Sequence, residues 1–429
     1  MTKFLRLLLK GILKLVIAVV VTGVILLIGL IGYLTFTEYK PDDEEMLDIY
    51  TTAEEEAATE EVAYTGASSG DAGDRATASS AMTGTGSEGT SEETTYSIAA
   101  FDLVDAKNGS YMVKGGDYTI MTWNMGYGAL GDNADFFLDG GSSVKTADEE
   151  RVSYNMDGIR RSISKLSPDI VMLQEVDRDS DRSCNTDEME ELVDGVKADK
   201  SLGTDSLYYT FAYNYRVEYI PYPIPPIGKV DAGILMLSAF EITESTRVQL
   251  PCPFSWPVRL GNLKRCLMID RVRIYTEEGR YTGHDLVIVN LHLEAYDDGE
   301  GKAAQTEMLI EYLNAEYEKG NYVIAGGDFN QYFSNIDTSM YPTYEGMWEC
   351  GVIDEEDFGE EWQLLMDNSN PSCRSLDQAY IGADTDNFQY YLIDGFIVSD
   401  NISVESVETV NFDFAYTDHN PVVMKFKID

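Results

Sequence analysis

The chain opens on a long apolar segment, passes through a polar one, and then settles into short repeating patterns of apolar and polar residues that persist to its end. From Leu15 to Thr37 no residue is charged. At ~1.5 Å per residue, a helix over that run crosses a hydrocarbon core of roughly 30 Å. Residues 1–40 are therefore expected to form a cytoplasmic stub and a transmembrane signal-anchor. Residues 41–98 are rich in Glu, Ser, Thr, Gly and Ala, with few large apolar residues after Tyr50. Such a segment buries too little apolar surface to offset its ordering entropy, so it reads as a disordered linker. Residues 99–429 return to a globular pattern. There Tyr118–Trp123, Ile170–Gln174, Ala232–Leu237, Met268–Tyr275, Leu286–Leu291, Tyr322–Ala325, Tyr391–Val398 and Val422–Lys427 read as strands. Glu149–Leu166 carries Val152, Met156, Ile159 and Ile163 at helical spacing and is stopped by Pro168. Lys302–Tyr317 is the second predicted helix, with Met308, Leu309, Tyr312 and Leu313 on one face. Strands alternating with helices in this way predict a layered α/β domain with mixed sheets.

Charge adds direction and a limit. Lys3, Arg6, Lys10 and Lys14 precede the apolar run, and Glu38, Asp42, Asp43, Glu44 and Glu45 follow it. That bias keeps the N-terminus in the cytoplasm and places the rest outside. A cleaved signal peptide is the competing reading, but the run is long for one and no clean small-x-small site follows. The chain has 31 basic and 75 acidic residues, a formal net charge of -44. Residues 99–429 alone carry 59 acids and 25 bases, so the folded part is itself acidic at -34. Gripping nucleic acid through its phosphates requires Lys and Arg, so this balance disfavours duplex DNA as a substrate. It leaves room for a phosphate held through a bound cation. Five scattered cysteines provide neither a disulfide framework nor a zinc site, although Cys252 and Cys266 are close enough in sequence to close a short loop.

The chemistry lies where predicted strands end in a carboxylate, an amide or an imidazole. Asn124 closes the first strand. Glu175 follows Ile170–Gln174 and suits a hard cation such as Mg²⁺, or Mn²⁺. Alone, either residue reads equally as a turn cap or a solvent-facing acid. In Gly326-Gly327-Asp328-Phe329-Asn330 the glycines permit close backbone approach, Asp328 can orient or deprotonate a water, and Asn330 can bind a phosphoryl oxygen. A plain polar turn has the same composition. His292 ends Leu286–Leu291. Asp418-His419 precedes the turn Asn420-Pro421, which is expected to expose His419 at a strand mouth, with Asp394 as its orienting carboxylate. Asp418 would point the other way, toward the metal. His284 sits in a polar turn and receives no role.

In this order and spacing, Asn124, Gln174-Glu175, Asn290-Leu291-His292, Gly327-Asp328-Phe329-Asn330, Ile393-Asp394 and Asp418-His419-x-Pro421 resemble the endonuclease/exonuclease/phosphatase superfamily. That superfamily includes DNase I-like nucleases, abasic-site endonucleases, inositol polyphosphate phosphatases and bacterial sphingomyelinases. The resemblance covers roughly residues 116–429. It implies a four-layer α/β sandwich, two mixed sheets face to face with helices outside. It also implies Mg²⁺-dependent hydrolysis of phosphoesters by an activated water. By resemblance Glu175 is the principal metal ligand with Asn124 beside it, and Asp418 is a further acid at the metal. Asp328 and Asn330 position water and phosphate, Asp394–His419 is the catalytic dyad, and His292 takes the place of a second histidine.

The substrate is less legible. The aromatic, Pro-rich stretch Tyr213–Gly228 reads for most of its residues as a rigid surface loop packed on itself; the alternative is that it lines the mouth of the site, with Asn214 and Arg216 as phosphate or head-group contacts, and Arg265 is a further candidate phosphate contact. A phosphodiesterase or phosphatase for a small, lipid or sugar phosphoester is the leading expectation. An extracellular nuclease and a non-catalytic surface binding module are the alternatives.

Overall fold

The computed structural model describes residues 3–52, 110–297 and 299–429. Two large sheets face each other. One has eight strands, ordered along its path Glu44–Met46, Ile242–Gln249, Cys266–Tyr275, Tyr281–His292, Tyr322–Asp328, Asp394–Ser399 and Trp362–Leu365, with Met112–Val113 paired to Cys266–Tyr275 off that path. The other has seven, ordered Ile402–Thr409, Val422–Ile428, Asp117–Asn124, Ile170–Asp177, Gly228–Ser238, Tyr208–Ile220 and Ile49–Thr51.

Burial follows from the two-residue period of a strand. Ile170 and Met172, with Ile234 and Met236 beside them on the same sheet, face the opposite sheet, where they meet Met268, Ile288, Ile324 and Phe396. Val171 and Leu173 face outward and are covered by Met156, Ile159 and Ile163 of the helix Glu149–Leu166 and Leu192 and Val196 of the helix Glu188–Asp199. The other sheet is covered by Leu309 and Leu313 of the helix Glu300–Tyr317. The expected four-layer sandwich is therefore present. Strands buried on both faces explain why their apolar runs are continuous rather than alternating.

Each sheet contains one strand–helix–strand unit whose two strands are paired neighbours, and these units position the site. Asp117–Asn124 and Ile170–Asp177 are parallel, with Asn124 opposite Gln174. The helix between them is capped at Asp148, whose carboxylate accepts from Arg151 N at 2.9 Å, and it ends on Ser167 in the left-handed region before Pro168. Tyr281–His292 and Tyr322–Asp328 are likewise parallel, with His292 opposite Asp328. Parallel strands release their C-terminal residues at one edge, so both units deliver polar side chains to the same end of the sandwich. Asp394 begins a strand antiparallel to Tyr322–Asp328 and sits opposite Asp328. Val422, just after His419, sits opposite Thr122.

Two expectations need correction. The linker was expected to begin at residue 41, yet Glu44–Met46 pairs with Ile242–Gln249 on one sheet and Ile49–Thr51 pairs with Tyr208–Ile220 on the other. Two three-residue strands between acidic neighbours leave too little apolar pattern to be recognised. The remainder of the expected linker, and the expected start of the domain at 99–109, lie outside the described residues. The stretch from Tyr213 is no surface loop as far as Ile220, because it continues the long strand Tyr208–Ile220 opposite Gly228–Ser238. Only the turn beyond Ile220 keeps the expected character. All five cysteines carry free thiols, Cys252 and Cys266 among them.

Candidate active site

The glycines of Gly326-Gly327 do what the sequence suggested. Gly327 has φ of +148°, and a Cβ there would fall on the Leu291 carbonyl oxygen, while one on Gly326 would meet Met172 Cε of the facing sheet at 2.5 Å. Close approach here lets both sheets deliver side chains to one place. Beneath them Gln174 donates to Asn290 Oδ1 at 2.8 Å, and Asn290 donates to Leu173 O at 3.3 Å and Leu235 O at 3.1 Å, joining the two sheets. Gln174 and Asn290 belong to the resembling motifs, and their contribution is this buried inter-sheet link.

Above that floor the expected residues converge. Asn124 Nδ2 donates to Asp328 Oδ2 at 3.0 Å and to Glu175 Oε1 at 3.4 Å, while its Oδ1 accepts from Gly126 N at 3.0 Å. Glu175 has φ of +55° and interrupts the pairing of Ile170–Asp177 with Gly228–Ser238 between Leu173 and Val176. This irregularity turns its carboxylate out of the sheet and into the site. Asp328 Oδ1 accepts from Asn330 N at 2.9 Å, and Asn330 Nδ2 donates to Leu293 O at 2.9 Å. His292 Nε2 lies 3.5 Å from Asp328 Oδ2 and 4.0 Å from Glu175 Oε1. His419 Nδ1 and Asp394 Oδ2 are hydrogen-bonded at 2.9 Å, and His419 Nε2 lies 3.9 Å from Asp328 Oδ2.

His419 departs from expectation in one respect, because it is buried rather than exposed. Trp123 Nε1 donates to its carbonyl at 2.9 Å, and it bridges to Cys373, so the turn is drawn down beneath the rim. Asp418 is also buried beside it and accepts from Thr417 Oγ1 at 3.2 Å. A cavity of about 210 Å³ opens over Asn124, Glu175, His292, Asp328, Asn330, Asp418 and His419.

Burial sets the electrostatics. It raises the Glu175 carboxyl pKa, and the nearby Asp418 charge raises it further. Burial and the neighbouring Asp394 push Asp328 up to about 7. His292 is driven well below its usual value, first by burial and then by Arg265. Burial would lower His419 too, but the Asp394 carboxylate overcomes it and holds the imidazole well above its usual pKa. The dyad thus favours imidazolium, and His292 favours neutral imidazole.

The four buried acids Glu175, Asp328, Asp394 and Asp418, gathered at one place, fit a divalent metal. Glu175 and Asp418 both face the cavity, and Asp328, Asp394 and His419 bring potential ligand atoms within 4.8 Å of one another. These are hard oxygen donors with one imidazole, a set suited to a hard or borderline cation.

Of the two weaker candidates, Asn214 is buried in the cavity wall. Arg265 also lines the cavity, but it is occupied in holding Glu294 Oε2 at 3.2 Å and the His292 carbonyl at 3.0 Å. The structure adds a cation the sequence did not single out. Arg182 lines the cavity, packs 3.8 Å over the Tyr127 ring and bonds Asp177 at 2.8 and 3.0 Å. It lies in a short polar turn without a strand-end pattern, so nothing in the sequence marked it. Asp139 and Tyr296 at the cavity wall, joined at 3.1 Å, were equally unmarked.

Residues 121–419 match the model of the Endonuclease/Exonuclease/phosphatase family. No curated protein matches the chain. Among solved structures, an endonuclease/exonuclease/phosphatase from Beutenbergia cavernae is similar at 18% identity and a TM-score of 0.48, over 73% of this chain and 72% of that one. One from Bacteroides vulgatus shares 15% identity at a TM-score of 0.44, over 73% and 100%. Truncated TDP2 from Caenorhabditis elegans shares 15% at 0.42, over 73% and 99%. The family match takes in every residue of the convergent site, from Asn124 to His419, and on it the chain belongs to the endonuclease/exonuclease/phosphatase family, whose members are metal-dependent hydrolases of phosphoester bonds.

Proposed function

We propose that this chain is a membrane-anchored, Mg²⁺-dependent phosphodiesterase or phosphatase, with Mn²⁺ able to substitute, acting outside the membrane on a small, lipid or sugar phosphoester. The observation that carries the chemistry is the convergence of Glu175, Asp328, Asp418 and His419 on one cavity, with Asp394 hydrogen-bonded to His419 at 2.9 Å and His292 Nε2 3.5 Å from Asp328 and 4.0 Å from Glu175. Glu175 and Asp418, with Asn124 beside them, would hold the cation, which supplies Lewis-acid polarisation of the phosphoryl group. Asp328 accepts a proton from, or orients, the attacking water. Asn330 donates toward a phosphoryl oxygen. His419, kept as imidazolium by Asp394, donates to the charge that builds on the phosphoryl oxygens, and neutral His292 is available beside it.

The anchor reading is supported by Leu5–Phe36, a helix of mean hydropathy 3.0 with none of its most apolar window buried against the protein. The bases before it favour a cytoplasmic N-terminus. A tag fused after Asp429 should accordingly bind antibody on intact cells. Binding only after permeabilisation would reverse the orientation.

The test of the reaction is hydrolysis of bis(p-nitrophenyl) phosphate by the full chain in detergent with Mg²⁺, beside nicking of supercoiled plasmid. The small diester should be cleaved and the plasmid hardly touched, because a charge of -34 on residues 99–429 repels a polyanion within about 8 Å at physiological salt. Efficient nicking would favour the nuclease reading. Inertness toward both would favour a binding module.

A further inference from the structure

The apolar N-terminal helix does not hang free of the folded part. Near its end Thr35 Oγ1 accepts from Trp256 Nε1 at 3.1 Å. Glu38 is buried between Arg259, at 3.1 Å, and Lys264, at 3.7 Å. The Tyr39 ring lies 5.6 Å from the Arg216 guanidinium and 5.9 Å from that of Arg247. The socket for the end of the helix is thus built from the segment 256–264 and the strand Tyr208–Ile220. Those same two pieces of chain wall the catalytic cavity, through Asn214 and Tyr215 on one and Asn262 and Leu263 on the other. Tyr215 ties them together by donating to Gly261 O at 3.0 Å.

The rim around this shared wall is apolar and faces outward. Trp256 is 53% exposed, Val258 58%, Tyr222 70% and Ile224 93%. Tyr222 packs against Phe137 at 6.1 Å, and the adjoining Leu138 is itself an exposed apolar residue of the cavity wall. Phe36, the last residue of the helix, is 91% exposed. Large exposed apolar side chains clustered in one place mark a contact surface. Trp and Tyr beside the end of an apolar span are the residues that settle at the level of lipid head groups.

We infer that Tyr222, Ile224, Trp256 and Val258 seat in the head-group layer of the bilayer that Lys3–Phe36 crosses, so that the cavity opens onto that layer and hydrolyses the phosphoester of a membrane lipid head group. This rests on the phosphoesterase and anchor readings above. The reaction consumes one water and breaks one P–O ester bond, the leaving oxygen taking a proton to become an alcohol. The acidity of the folded part is consistent with such a substrate. A chain of this charge captures anions poorly from solution, whereas a lipid confined to the same surface is supplied at high effective concentration without electrostatic steering.

The full chain is reconstituted into phosphatidylcholine vesicles containing phosphatidylglycerol, with Mg²⁺ present. Lipid head-group release and hydrolysis of bis(p-nitrophenyl) phosphate are measured in parallel. Ile224→Asp combined with Val258→Asp changes two exposed side chains outside the catalytic groups. This variant should lose about tenfold or more in lipid hydrolysis and stay within about twofold on the soluble diester. Separately, phosphatidylcholine brominated near the top of its acyl chains should quench a fluorescence component that Trp256→Phe removes. Equal lipid hydrolysis by variant and parent overturns the inference. So does an absence of Trp256 quenching, and so does a parent that cleaves the soluble diester but releases no head group. A parent inert toward both substrates instead removes the phosphoesterase reading beneath it.

Discussion

His419→Ala is expected to lower turnover by about a hundredfold or more, the usual scale of a lost proton-transfer or charge-stabilising group. The imidazole sits 2.9 Å from Asp394 and 3.9 Å from Asp328, so it is placed to act on a phosphoryl group held between them. Because His419 is buried, the alanine variant also strips Asp394 of the hydrogen bond to its Oδ2. Asp394 Oδ1 already has no partner, so some loss of stability should accompany the loss of rate. Thermal unfolding must therefore be read beside turnover, and His419→Gln, which retains a donor, separates the two. Asp394→Asn should slow turnover as well. It also has a signature that a merely structural role would not show. Asp394 raises the His419 pKa, so removing its charge lets the imidazole lose its proton at lower pH, and the alkaline limb of the rate profile should move down. The double variant should be little worse than either single variant, because the two residues act as a unit. Multiplicative losses, or an unchanged rate in His419→Ala, would dissolve the dyad.

Chelation should have the largest effect of all. EDTA should abolish hydrolysis by the full chain, and added Mg²⁺ should restore it. Glu175→Gln keeps the shape of the side chain but removes a charge that burial and Asp418 already make costly. The apo protein should thus be no less stable, and by relief of that repulsion slightly more so, while the Mg²⁺ concentration for half-maximal rate rises by about tenfold or more. Asp328→Asn differs: it retains the contact geometry to Asn124 and Asn330 but loses the proton acceptor, so its defect should persist at saturating Mg²⁺. Full activity in exhaustively chelated protein, or rescue of Asp328→Asn by metal alone, would contradict these roles.

The parts of the fold visible in sequence were those with both faces buried. Ile170–Gln174 and Tyr322–Ala325 are unbroken apolar runs because each lies between a facing sheet and a covering helix. The helix Glu149–Leu166 was legible to the residue, since Asp148 and Pro168 bound it chemically. Strands on the flank were harder. Ile242–Gln249 and Ile402–Thr409 mix Glu, Ser and Thr with their apolar residues, and Tyr208–Ile220 was obscured by the prolines that follow it. Site residues were legible where they ended a buried strand, as Asn124, Glu175, His292 and Asp328 do. What the sequence could not convey was depth. A His-Asn-Pro turn looks exposed when written out, and Trp123, brought from 296 residues away, together with the bridge to Cys373 draws His419 under the surface. Arg182 was missed for the same reason, since its importance lies in Tyr127 and Asp177 around it and not in any local pattern.

The strands Glu44–Met46 and Ile49–Thr51 bear on whether the enzyme can be shed. Each completes the edge of a different sheet, Tyr50 stacks on Tyr209 at 5.1 Å, and the ion pairs of Glu38 lie just before them. All of these contacts belong to the stretch that stays with the helix when the chain is cut between residues 53 and 109. A single nick there would yield two polypeptides on a denaturing gel and still leave the catalytic half bound to the helical segment, held as the second chain of a non-covalent complex. Separating the two pieces would require peeling two strands from two sheets, so such a nick would neither silence nor release the catalytic half.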